Sequence, residues 1–243
     1  IDILSACSVS TRVTAKTFFP DRFKLPFAEQ VHGEIFKRVD NERNKTVIAA
    51  PRGWGKTSIV ALARMARAIL FREFGFIVYI NQSETAAVMQ TENLKRELVS
   101  NRYIRQFFGS IKTRSAGDDE IDEQFSKKAW VAYDTFVLPR GGGQQVRGVI
   151  YKNDRPGLIV IDDLEDKTEV LNPENRKQLK NWLYSDVLES VPQTNLNWKV
   201  IYIDTLKHED ALLRHLLLSE DWDGIRLESC DDNFSSAAPE FVP

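Results

Sequence analysis

The chain has 243 residues, enough to bury one full-sized core, and a single α/β domain of this length is ordinary. Its 33 Lys+Arg against 35 Asp+Glu leave a formal charge of -2, so no global excess of positive charge advertises nucleic acid and any such contact must be a local patch. Two cysteines, Cys7 and Cys230, make no disulfide framework, no apolar run approaches the ~20 residues of a membrane span, and no signal-peptide layout opens the chain; the expectation is a soluble protein in a reducing, cytoplasmic setting.

Residues 1–24 carry few periodic features and read as an N-terminal arm or lid. Pro26 then opens a helical stretch in which Phe27, Val31, Ile35 and Val39 keep four-residue spacing. A β-prone run at 46–50 leads into a glycine-bearing loop. Behind the loop, Ile59, Leu62, Ala63, Ala66, Ile69 and Leu70 recur at helical spacing, with Gly75 as the stop. Residues 76–80 predict a second core strand, and Ser83 caps a helix to residue 100. The acidic segment 115–123 reads as a solvated loop, because no cation-ligand pattern is present.

Residues 135–138 predict a third strand, followed by a turn at Gly141, Gly142 and Gly143. The fully apolar run 158–161 ends on Asp162 and Asp163, as a buried parallel strand does when it delivers carboxylates to the carboxyl edge of a sheet. Asn172 and Pro173 cap a helix with Leu179, Trp182, Leu183 and Val187 on its core face; 199–203 is a further strand ending at Asp204 and Thr205, and 209–218 is helical. This alternation predicts an α/β fold with a mostly parallel, doubly wound sheet, occupying 25–229. The chain begins without Met and ends on Phe241, Val242 and Pro243 with no helix stop, so it reads as a piece of something longer.

The informative motif is Ala50, Pro51, Arg52, Gly53, Trp54, Gly55, Lys56 and Thr57, set between a strand and a helix. A loop so placed lets successive backbone N–H groups close round an oxyanion at the positive end of a helix. Lys56 then reaches the β/γ-phosphates of a nucleotide, the Thr57 hydroxyl ligates Mg²⁺, and Ser58 extends the binding segment. The general motif asks for glycine at position 50, where this chain has Ala50; Gly53 and Gly55, where backbone meets phosphate most closely, are kept.

Hydrolysis needs a carboxylate for the metal and a group to orient the attacking water. Asp162 is assigned to Mg²⁺ and Asp163 to water, with Glu165 a rival for the second role. In the P-loop class with an extra strand between the phosphate-loop strand and the carboxylate strand, that strand ends beside the γ-phosphate, and Thr205 is so placed. A guanidinium for the transferring phosphoryl is offered by Arg52 inside the loop or by Arg147 after the glycine turn. Gln30 carries both a donor and an acceptor with which to read an adenine edge. His32 and His208 have no paired ligands at metal spacing.

Taken in order, these motifs resemble the ATPase domain of the large terminase subunit, the DNA-packaging motor of tailed bacteriophages. The resemblance runs over roughly residues 18–232 and is carried by four features: the arginine-bearing loop with a relaxed first glycine, the segment Gln144 to Gly148, the strand ending Asp162-Asp163, and Tyr202-Ile203-Asp204-Thr205 with His208-Glu209-Asp210 behind it. It implies a RecA-like ATPase using ATP and Mg²⁺ to drive double-stranded DNA into a procapsid in the host cell cytoplasm. Portal protein and a small terminase subunit are the implied partners, and the subunits form a homo-oligomeric ring when docked, with a monomer in isolation. It also implies that Arg147 acts on a neighbouring subunit's ATP, and that 230–243 begins the linker toward a C-terminal nuclease domain not contained in this sequence, so that no nuclease activity is expected. Many terminases have Glu where this chain has Asp163, which leaves Asp163 against Glu165 open. Two other functions fit the motifs: a helicase or RecA-like DNA-dependent ATPase, and a nucleotide-gated DNA-binding or docking module with negligible turnover.

Overall fold

The computed structural model describes residues 2–111, 126, 128–230 and 236–237. The acidic segment 115–123 and nearly all of 230–243 lie outside the described residues. A seven-stranded sheet runs in the order β3-β4-β2-β5-β6-β1-β7, with β1 (Lys45–Ala49), β2 (Phe76–Asn81), β3 (Trp130–Ala132), β4 (Thr135–Gly141), β5 (Leu158–Asp162), β6 (Lys199–Asp204) and β7 (Asp223–Arg226). Every pairing is parallel except the β3–β4 hairpin. The strands β2, β5 and β6 are buried along their whole length, which is why they read as continuous apolar runs rather than alternating ones. β3 and β7 left no such signal. One has three residues, and the other, with sequence DGIR, borders the sheet and is only partly buried.

Side-chain alternation divides the core into two halves. Ile48, Ile77, Tyr79, Leu158, Val160, Ile201 and Ile203 face one layer; Val47, Val78, Ile159, Ile161, Val200 and Tyr202 face the other. The first layer holds α1 (Ile3–Val9), α2 (Thr11–Phe18), α3 (Glu34–Asp40), α4 (Met65–Leu70, with the π-type stretch Ser58–Arg64 before it), α5 (Glu84–Ser100) and α6 (Arg102–Phe108). The second holds α7 (Pro173–Trp182), its continuation Leu183–Val187, and α8 (Leu212–Leu217). Helix α4 follows the phosphate loop: Ser58–Arg64 is wound as a π-type stretch and Met65–Leu70 as an α-helix.

Three expectations change. Residues 1–24 are not an arm apart: α1 and α2 place Cys7, Ala15 and Phe18 in the same core as α4, and each buried aromatic there contributes roughly 1.5–3 kcal/mol. Helix α4 ends at Leu70 and not at Gly75, because Arg72 turns left-handed (φ 53°) and Glu73 folds back to pair with Arg64 and Arg67. Helix α8 starts at Leu212 and not at 209, since Ala211 is extended. Ser83 and Asn172 do cap α5 and α7, accepting from Ala86 N and Glu174 N.

Candidate active site at the carboxyl edge of the sheet

The loop 50–57 leaves β1 and enters α4. Ala50 is buried and donates its N–H to the Asp204 carbonyl (2.9 Å), so it prolongs the β1–β6 pairing by one residue. Its backbone is not among those with positive φ, which explains why glycine is not required there. Gly53 (φ 84°) and Gly55 (φ 66°) do sit in the left-handed region that only glycine enters without strain. Trp54 points into the core beside His32 and anchors the loop, while Arg52 is exposed.

Lys56 is buried, and its ammonium donates to Ala50 O (2.9 Å), Pro51 O (2.8 Å) and Thr205 Oγ1 (2.7 Å). The Thr205 hydroxyl in turn donates to Ala50 O (3.1 Å). The strand end predicted to report on phosphate is therefore already bonded to the phosphate-loop lysine. Burial lowers the Lys56 pKa, opposed by the carboxylates of Asp163, Asp162 and Asp204.

Asp162 is fully buried on the α4 face of the sheet, and its Oδ2 accepts from the Tyr79 hydroxyl (2.9 Å). Burial pushes its pKa up to about 6, against the opposing effect of the neighbouring Thr57 and Tyr79 hydroxyls. Its Oδ1 is a buried oxygen with no hydrogen-bond partner among the described residues, and the Thr57 hydroxyl acts on the same carboxyl group. An orphaned carboxylate oxygen beside a hydroxyl at a helix start fits a hard divalent cation. No group of three or more His, Cys, Asp or Glu among the described residues is arranged to hold a metal ion. Thr57 and Asp162 are the residues that could hold such a cation, with water and phosphate oxygens left to complete its shell.

Asp163 departs from the strand at φ 51°, a left-handed conformation that costs a non-glycine residue about 1–2 kcal/mol. Its side chain is half exposed and pairs through Oδ1 with Lys207 Nζ (3.0 Å). Burial would raise its pKa, but a hydrogen bond with Asp204 and the Lys207 ammonium hold it below the usual value. Asp204, fully buried on the opposite face from Asp162, accepts from Glu165 N (3.1 Å), Thr205 N (2.6 Å) and Lys207 Nζ; burial pushes it up to about 7.

Glu165 lies elsewhere. It is buried beneath the sheet edge, where Oε1 accepts from Leu212 N (2.8 Å) and Oε2 from Leu213 N (3.0 Å), so it caps the start of α8. Between the two candidates for orienting water, only Asp163 stands open toward solvent at the end of β5.

Two predicted residues are not brought to the loop. Arg147 is exposed on the segment after β4, its backbone N–H held by Asp186 Oδ1 (2.9 Å) and its Nη1 near Ser185 O (3.4 Å). In the sheet order β4 is four strand positions from β1, roughly 19 Å at the usual spacing of about 4.8 Å. Gln30 is exposed, and a cavity of about 320 Å³ beside the loop is lined instead by Phe23, Leu25, Phe27, His32 and Trp54, among others. Sequence reading weighed His32 only as a metal ligand and passed over Lys207; the His32 Nδ1 accepts from Ala28 N (2.9 Å) and its Nε2 meets Trp54 O (3.2 Å). Neither belongs to a motif. The spacing of Phe23, Phe27 and His32 ahead of the loop was the only available hint.

The strand order decides the fold class: β6 lies between the phosphate-loop strand β1 and the carboxylate strand β5. This is a P-loop NTPase fold. Among solved structures the chain is similar to the HK97 bacteriophage large terminase, with a TM-score of 0.53 and 14% identity, over 86% of this chain and 40% of that one. It also matches the Phi-28 gp11 DNA packaging motor, with a TM-score of 0.43 and 12% identity, over 80% of this chain and 59% of that one. The chain thus spans less than half the length of the terminase whose fold it shares. No family model and no curated protein matches the sequence. No helix among the described residues is long and apolar enough to cross a membrane.

Proposed function

We propose that the protein is the ATPase of a viral DNA-packaging motor, hydrolysing ATP with Mg²⁺ to translocate double-stranded DNA into a procapsid. The observation that carries this reading is the convergence of Lys56, Thr205, Asp162 and Asp163 at the ends of β1, β6 and β5. The terminase-like fold supports the choice of a packaging motor over other P-loop ATPases.

In this reading the loop N–H groups and Lys56 bind the β- and γ-phosphates, with Gly53 and Gly55 allowing the backbone approach. Thr57 and Asp162 would hold Mg²⁺, which when bound would offset the negative charge of the reacting phosphates. Asp163 accepts a hydrogen bond from the attacking water and orients it. Thr205, bonded to Lys56, senses the phosphate and passes its state to the β6–α8 segment. Phe23, Phe27, His32 and Trp54 form the nucleoside side of the site in place of Gln30. Arg147, too far along the sheet edge to serve its own loop, reaches the nucleotide of a neighbouring subunit in a ring, and Arg52 remains an exposed cation at the mouth. Portal protein and a small terminase subunit are the proposed partners, and the host cytoplasm the proposed location.

Steady-state phosphate release with Lys56→Ala and Asp163→Asn tests the reading. Each is expected to lower turnover by at least about 10²-fold. Unchanged release in both would remove the enzymatic function and leave a nucleotide-gated binding module.

A further inference from the structure

The segment between β6 and α8 contributes more than Thr205. Two residues later in the strand-to-helix connection, the Lys207 side chain is only 6% exposed, and its ammonium sits between Asp163 Oδ1 (3.0 Å) and the fully buried Asp204. An ammonium withdrawn so far from water is not a surface ion pair. Its lost hydration is offset only by the two carboxylates that enclose it. Asp163 is held there in a left-handed backbone conformation, with its N–H donated to Ile203 O (3.1 Å). Lys56 is the other cation in the cluster, close enough for each ammonium to disfavour the other's charge.

We propose that Lys207 is a positioning residue for hydrolysis: clamped between Asp163 and Asp204, it fixes the Asp163 carboxylate at the mouth of the phosphate loop. Because Thr205 and Lys207 belong to one short segment, the hydroxyl bonded to Lys56 and the carboxylate that orients water are set together. A shift of that segment moves both. The same segment leads into α8, whose first turn is held by Glu165 from the end of β5. Lys207 itself touches neither nucleotide nor water in this scheme; it acts through Asp163.

The inference rests on Asp163 being the water-orienting acid, and the test separates the two. Lys207→Met keeps the length and removes the charge, Lys207→Arg restores the charge, and both are measured beside Asp163→Asn for kcat, for ATP KM and for the affinity of a fluorescent ATP analogue. The expectation for Lys207→Met is a kcat lower by about 10- to 100-fold with KM and analogue affinity within about threefold, and recovery of much of the loss in Lys207→Arg. Adding Lys207→Met to Asp163→Asn should lower the residual rate no further, since both changes remove one function. If Asp163→Asn keeps full turnover, the underlying assignment fails. If Asp163→Asn is inactive while Lys207→Met keeps its kcat, or loses kcat only in proportion to the folded fraction measured by circular dichroism, Lys207 only neutralises Asp204 and the inference is overturned. Where Lys207→Met does not fold, Lys207→Gln carries the same comparison, and an additive effect with Asp163→Asn refutes the coupling.

Discussion

Glu165 gives the sharpest quantitative expectation, because the sequence left it as a rival catalytic acid and its surroundings are those of a helix cap. Replacing it with alanine leaves the N–H groups of Leu212 and Leu213 buried without acceptors. Each such orphan costs about 1–3 kcal/mol. The lost charge at the start of α8 adds roughly 0.3–1 kcal/mol. Together these predict a loss of about 2–7 kcal/mol for Glu165→Ala, a large share of the 5–15 kcal/mol by which domains are ordinarily stable. Glu165→Gln keeps one acceptor oxygen of the two, so it should cost about half as much. Urea unfolding followed by circular dichroism measures both, with the midpoint falling and the slope unchanged. A loss below about 1 kcal/mol for Glu165→Ala would refute the capping argument. So would a Glu165→Gln protein of full stability and no turnover, which would return the water-orienting role to Glu165.

Asp162 makes stability depend on pH with a definite sign. Its carboxyl rises from the ordinary 3.8 to about 6 on folding, so between those values the folded state holds a proton that the unfolded state has released. Stability therefore falls as pH rises through that window, and the burial penalty is fully present above about 6. Asp162→Asn should be more stable than the parent at pH 8 by up to about 3 kcal/mol, with the difference shrinking toward pH 4 in thermal melts; an equal gain at both pH values would show that the carboxylate's charge is not the cause. The loop glycines make the last pair of predictions. Gly55→Ala should strain the backbone by about 1–2 kcal/mol and weaken nucleotide binding by about tenfold in a titration, with no steric clash to blame, since nothing lies within 4 Å of the added carbon. Restoring the general motif with Ala50→Gly should not tighten binding and should cost about 0.5–1 kcal/mol in a melt, because position 50 has an ordinary φ and gains only unfolded-state freedom.

The sequence by itself determined the elements whose signals are local: the buried strands β2, β5 and β6, the caps Ser83 and Asn172, and the phosphate loop between β1 and α4. Local chemistry also placed Asp162, Asp163 and Thr205 at strand ends, because an apolar run must stop where the chain meets water. The tertiary structure decided what depends on contacts between segments distant in the chain. The N-terminal helices joined the core because Phe18 finds Phe107 and Phe108, some ninety residues away, a partner that no window of sequence reveals. Glu165 became a cap and Asp163 stayed open because the side-chain alternation of β5 breaks at a left-handed residue, which the string Asp162-Asp163 does not announce. Gln30 faces solvent and His32 faces the loop for a similar reason: residues two apart on a helix lie on nearly opposite sides, and the anchoring contact of His32 with Trp54 is made across the fold. Arg147 reads the same in sequence whether it serves its own loop or another's. Only the strand order, with three strands between β4 and β1, separates it from the phosphate loop of its own chain.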